Sequence, residues 1–157
     1  MKLWLKVLIC VVAINVLGGL GAIVTTPAIK GWYQTLEKPP GVPPNSVFGP
    51  VWVTLYCMIG LSLALLWDRV PAGPEKRSAL IWFVIQMVLN LIWSPVYFGA
   101  HWMGVALIII ASLLVILPFV IIKIRSLDKT AGRLLIPYAI WVGYATYLNA
   151  GYWWLNR

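Results

Sequence analysis

Between Ser78 and Ile122 the chain carries no Lys, Arg, Asp or Glu. As one helix, at about 1.5 Å per residue, this stretch would run to roughly 68 Å, over twice the roughly 30 Å of a bilayer core. It must therefore fold back once. The turn is expected between Pro95 and His101, where Pro95, Gly99 and the lone His101 interrupt an otherwise apolar string. Three further uncharged runs, Val7 to Ile29, Val47 to Trp67 and Leu134 to Asn156, are each long enough to cross. The pattern predicts an all-α membrane protein. Its single domain, 1–157, is a five-transmembrane-helix bundle with helices over about 5–27, 47–67, 78–98, 102–123 and 134–155. A long proline-rich loop joins the first two.

Composition agrees. Hydrophobic residues make up 62% of the chain and charged residues 10%, against about a quarter charged in soluble domains. That excludes an ordinary soluble enzyme, a disordered chain and a disulfide scaffold. Cys10 and Cys57 lie inside apolar runs and read as small buried hydrophobes. Lys2 and Lys6 before an apolar stretch resemble a signal peptide, but the stretch continues to Ile29, so a retained first helix is expected.

The net charge of +8 would point to nucleic acid in a soluble chain, but here the basic residues cluster in short gaps between apolar runs, and no nucleic-acid partner is expected. With five spans, Lys2, Lys6, Arg69, Lys76, Arg77, Lys123, Arg125, Lys129 and Arg133 share one side, and Lys30, Lys38 and Arg157 the other. The positive-inside rule then puts the N-terminus in the cytoplasm and the C-terminus outside, together with the loop over 27–46. Pro39, Pro40, Pro43 and Pro44 make that loop stiff and extended. It reads either as an aromatic belt with a linker or as a lid over an opening between helices.

No acidic or basic residue lies centrally in any span, which argues against an ion-coupled carboxylate relay. Uncharged polar groups and aromatic rings recur instead at helical spacing. One face holds Gln86, Asn90, Trp93 or Ser94, and Tyr97. Another holds Tyr138, Trp141, Ala145, Leu148 or Asn149, and Tyr152. Phe48, Trp52 and Tyr56 form a third, and Asn15, Gly18, Ala22 and Thr26 a narrow stripe of small residues. Such faces are either interhelical glue with ordinary aromatic packing or the walls of a flat apolar pocket with a few hydrogen-bonding groups. Ten tryptophans in so short a chain favour the pocket.

Four separated strings carry a resemblance: G-W-Y-Q-T-L-E-K-P-P-G-V-P-P at 31–44, F-G-P-V-W-V-T-L-Y at 48–56, Q-M-V-L-N-L-I-W-S-P-V-Y-F-G-A at 86–100, and P-Y-A-I-W-V-G-Y-A-T-Y-L-N at 137–149. Together they resemble the TspO/translocator protein family, the tryptophan-rich sensory proteins. The resemblance implies a five-helix bundle that forms a homodimer, with a ligand pocket capped by the first loop. It implies a tetrapyrrole ligand, porphyrin or haem, or a sterol-like molecule, with no cofactor or metal required. Carried over by motif, the ligand-binding positions are Trp32, Tyr33, Pro43, Pro44, Trp52, Asn90, Trp93, Trp141, Ala145 and Leu148. A receptor or carrier is the leading expectation. The alternatives are an enzyme that degrades porphyrin by light or oxidation, with Trp52 and Trp141 as electron or radical donors, and a structural membrane protein without a ligand. Helical spans point to a bacterial inner membrane. The chain departs from the family's pattern in the loop, with Gly41 where a Trp is usual and Ser46 where an aromatic is common.

Overall fold

The computed structural model describes residues Met1–Arg157, and the chain is helical with no strands. Its helices are α1 (Leu3–Leu20), α2 (Ala22–Lys30), α3 (Asn45–Arg69), α4 (Pro74–Ser94), α5 (Met103–Leu127), α6 (Lys129–Leu134) and α7 (Ile136–Leu155). A 3-10 turn spans Trp32–Thr35, and α4 runs on through a π-helical turn at Pro95–Gly99.

The first apolar run is divided at Gly21, which stays in the right-handed helical region while its N–H shifts to the carbonyl of Gly18. Three glycines, Gly18, Gly19 and Gly21, remove the side chains that would hold the helix straight, and Pro27 removes a donor nearly two turns later. Pro50 and Pro118 lie within α3 and α5 without ending them. The expected turn after the third run occurs at its end. The amide of Ala100 bonds the carbonyl of Pro95, and His101 takes φ 60°. Its left-handed backbone makes the reversal into α5.

Helices α1, α3, α4 (with its π-helical turn) and α5 are long and apolar enough to cross a membrane. The fifth expected run falls on α7, whose tyrosines, tryptophans and Asn149 set it apart from those four. Large apolar side chains stand exposed along the outer faces, among them Leu8, Val12 and Val16 on α1, and Ile108, Val115, Phe119 and Ile122 on α5. Water cannot be the solvent of so continuous an apolar exterior, whereas a hydrocarbon phase is.

Packing is tightest where side chains are absent. A Cβ at Gly60 would strike the backbone of Val11 and Cys10, so α1 and α3 cross in close contact there. The main core joins α3, α4, α5 and α7 around Ile59, Leu66, Leu113 and Val142. A second, smaller cluster of Tyr33, Tyr97, Ala106, Leu148 and Tyr152 sits at the other end. The ion pairs gather at the end near the N-terminus: Lys6–Asp68 at 2.8 Å, Arg69–Asp128 at 3.5 Å and Lys123–Glu75 at 3.5 Å. Lys76 there donates to the carbonyls of Trp67 and Val70, covering the end of α3.

The segment between α2 and α3 is fastened to α7. The Asn156 side chain pairs with both backbone groups of Glu37, accepting from its N–H at 2.9 Å and donating to its C=O at 3.0 Å. Tyr147 donates to the carbonyl of Pro40 at 2.9 Å, and Tyr144 to that of Gly41. Gly41 has φ 82°, so Pro40–Gly41 forms a tight turn that needs glycine in its second position. Leu36 and Val42 pack on the smaller cluster.

Candidate functional site

Beside that smaller cluster lies a cavity of about 410 Å³, within the range of small-molecule sites. Its walls come from α1 and α2, the first half of α3, the end of α4 and the middle of α7. Trp52, Trp93, Trp141, Phe48, Tyr97 and Phe98 supply aromatic surface. Trp52 stacks on Tyr56 with centroids 5.4 Å apart, Trp93 stacks on Tyr97 at 5.4 Å, and Phe48 meets Trp141 edge-on at 6.1 Å. Tyr56 owes its place to Gly18, where any Cβ would overlap its ring.

A hydrogen-bonded chain runs from the cavity wall into the bundle. Tyr56 donates to Asn90 Oδ1, Asn90 Nδ2 donates to the Tyr138 hydroxyl, and Tyr138 donates to Gln86 Oε1, each at 3.0 Å. Trp93 Nε1 donates to Asn149 Oδ1 at 3.0 Å, and Asn149 in turn donates to the carbonyl of Met103. Thr25 and Ser94 share a hydroxyl pair at 2.6 Å that joins α2 to α4. Three donors in the walls have no protein partner, Trp141 Nε1 and the hydroxyls of Tyr97 and Tyr152. Burial pushes the Tyr33 phenol well above its ordinary pKa, so it stays neutral.

Seven of the ten expected ligand-binding residues, Tyr33, Trp52, Asn90, Trp93, Trp141, Ala145 and Leu148, line this cavity. Trp32, Pro43 and Pro44 do not. Trp32 turns away to stack on His101, with centroids 4.0 Å apart and planes 13° from parallel. Of the segment over 31–44, Tyr33 alone reaches the cavity wall. Sequence reasoning passed over Phe98 and Lys30, which also line it. Phe98 lies off the polar face of α4 and comes inward through the π-helical turn, which no helical spacing forecasts.

The exposed lining residues show where the cavity meets the exterior. On α1 and α2 they are Gly19, Ala22, Thr26 and Lys30, and on α3 they are Asn45, Gly49 and Val53. The opening is a slot between α2 and the start of α3, edged mostly by small side chains. An added Cβ at Gly19 or Gly49 would meet nothing within 4 Å.

An all-helical bundle with an apolar exterior defines an integral membrane protein, and this one holds an aromatic-walled cavity of small-molecule size. The TspO/MBR family model matches residues 8–155, and the chain belongs to that family. It is 34% identical over 154 residues to the tryptophan-rich protein TspO of Archaeoglobus fulgidus, with 97% of each chain covered. It is 34% identical to the human translocator protein, over 85% of this chain and 82% of that one. It is 32% identical to protein CrtK of Rhodobacter capsulatus, over 88% and 85% of the two chains.

Proposed function

We propose that the protein is a membrane receptor or carrier that binds a flat, largely apolar ligand of the tetrapyrrole class in the cavity between its helices. The observation that carries this reading is the convergence of Trp52, Trp93 and Trp141 on one cavity of about 410 Å³. Rings presented from three helices suit a planar ligand, since stacked and edge-on contacts favour a flat partner. The names of relatives, translocator protein and tryptophan-rich sensory protein, accord with a ligand that is carried or sensed. In this reading α7 is a fifth span, the well-fastened segment over 31–44 caps the loop end of the bundle, and the basic end faces the cytoplasm of an inner membrane. The protein works as a homodimer.

The test is a porphyrin titration into detergent-solubilised protein, in the dark and then under light. Saturable fluorescence quenching without pigment loss is expected. Pigment loss that disappears in Trp52→Phe and Trp141→Phe would replace the receptor reading with an oxidative one. Absence of saturable binding would overturn both.

A further inference from the structure

Of all the residues that line the cavity, Lys30 alone is charged. It ends α2 at the slot, is exposed, and forms no ion pair. Its own chain offers little to neutralise it. The acidic residues are Glu37, Asp68, Glu75 and Asp128. The last three are held by Lys6, Lys123 and Arg69 at the opposite end of the bundle. Glu37 makes no ion pair, and its backbone is tied to Asn156, which caps the end of α7. Across the slot stands Asn45, the first residue of α3, another cavity-lining residue with an exposed amide side chain. The cavity is therefore graded. Its inner wall is indole and phenol, its flank is small and open, and its rim carries one unpaired ammonium at the end of α2 and one amide at the start of α3.

We infer that the site selects amphipathic anions: a carboxylate at the edge of a flat apolar ligand pairs with the Lys30 ammonium and accepts from the Asn45 amide, while the apolar body lies against Trp52, Trp93 and Trp141. Charge at the rim and rings within fix which edge of the ligand faces outward. The small residues along the slot leave room for that edge to project. This selectivity rests on the tetrapyrrole reading of the cavity. It adds a residue and a chemical group that the aromatic walls alone do not specify.

The test uses the full chain in phosphatidylcholine nanodiscs at neutral pH, with protoporphyrin IX and its dimethyl ester as probes. They share one ring system and differ in their two carboxylates. The wild type is expected to bind the acid about fivefold more tightly than the ester, the upper range for an exposed ion pair. Lys30→Gln should bring the ratio to about one by weakening the acid alone. Lys30→Arg should keep the preference, and Lys30→Glu should reverse it. Unchanged ester affinity in each variant shows that the fold is intact. An acid preference that survives Lys30→Gln, or a loss of both probes together, would overturn the assignment. Equal binding of acid and ester by the wild type would overturn it too while leaving the tetrapyrrole site standing. Saturable binding of neither probe would overturn the site itself and this inference with it. An acid preference that vanishes when anionic lipid is added would mean that a lipid phosphate owns the ammonium, again against the inference.

Discussion

Tyr138→Phe removes one oxygen from the centre of the hydrogen-bonded chain and changes nothing else in shape. Tyr138 is fully buried, accepts from Asn90 and donates to Gln86, so it joins α7 to α4 twice. Interhelical hydrogen bonds in membranes average about 0.6 kcal/mol each, so the two bonds account for roughly 1.2 kcal/mol. The substitution also strands what remains. Gln86 Nε2 has no partner in the wild type, so losing the Tyr138 hydroxyl leaves the whole buried amide unmatched. An unsatisfied buried polar group costs about 1–3 kcal/mol. A total of about 2–4 kcal/mol follows, with no further term for Asn90, which keeps Tyr56 and borders the cavity. Tyr138 itself does not line the cavity, so porphyrin affinity in the folded variant should hold within about twofold.

The assay is reversible unfolding in mixed micelles with increasing dodecyl sulfate, followed by far-ultraviolet circular dichroism, beside a porphyrin titration at low denaturant. Tyr56→Phe is the companion variant. It removes one bond at the cavity wall and leaves no buried group stranded beyond Asn90 Oδ1, so it should cost about half as much. Equal stability of Tyr138→Phe and wild type would refute the view that this chain holds the helices together. A large loss of ligand affinity with no loss of stability would mean that the network serves the ligand directly.

Gly60→Ala should destabilise the bundle by about 1–3 kcal/mol through overpacking against the α1 backbone, whereas Gly49→Ala, which meets open space, should be neutral in the same unfolding assay. Asn156→Ala should free Glu37 and raise amide hydrogen exchange across residues 31–44, read by mass spectrometry; unchanged protection there would show that Tyr144 and Tyr147 hold the segment unaided. A reporter fused after Arg157 should be active only outside the cytoplasm, and cytoplasmic activity would reverse the proposed orientation.

Much of the cavity was legible in the sequence because charge is nearly absent from the spans. Gln86, Asn90, Trp93 and Tyr97 stand out at helical spacing against aliphatic neighbours, and all four are buried or line the cavity. The same holds for Trp141, Ala145, Leu148 and Tyr152 on α7. What spacing cannot supply is direction beyond a regular helix. The division at Gly21 depends on three glycines acting together, while Pro50 and Pro118, stronger breakers by reputation, are carried inside helices whose neighbours hold them. Trp32 and Tyr33 are adjacent in sequence, yet the 3-10 turn sends Tyr33 inward and Trp32 onto His101. The ties from Asn156, Tyr147 and Tyr144 to residues 37–41 join distant parts of the chain and leave no local signal. Lys30 was overlooked for another reason. A lysine at the end of an apolar run reads as a topology marker, and only the fold places it on the rim of a cavity.

The missing rings of the loop take on a different meaning once the loop end is compared with the slot. Gly41 does not leave a gap in an aromatic lid. Its positive φ forms the turn, and its carbonyl receives Tyr144, so a bulkier residue there would strain the backbone before it could stack on anything. The segment over 31–44 is held to α7 by four hydrogen bonds from three side chains and contributes one residue, Tyr33, to the cavity. The flank between α2 and α3 has the opposite character, with Gly19, Ala22, Thr26 and Gly49 standing exposed along it. A ligand that passes through the loop end must break specific bonds. One that passes through the flank must displace only what surrounds the bundle, and around an apolar exterior that is lipid. For a flat apolar ligand already dissolved in the bilayer, the flank is the path with less to undo.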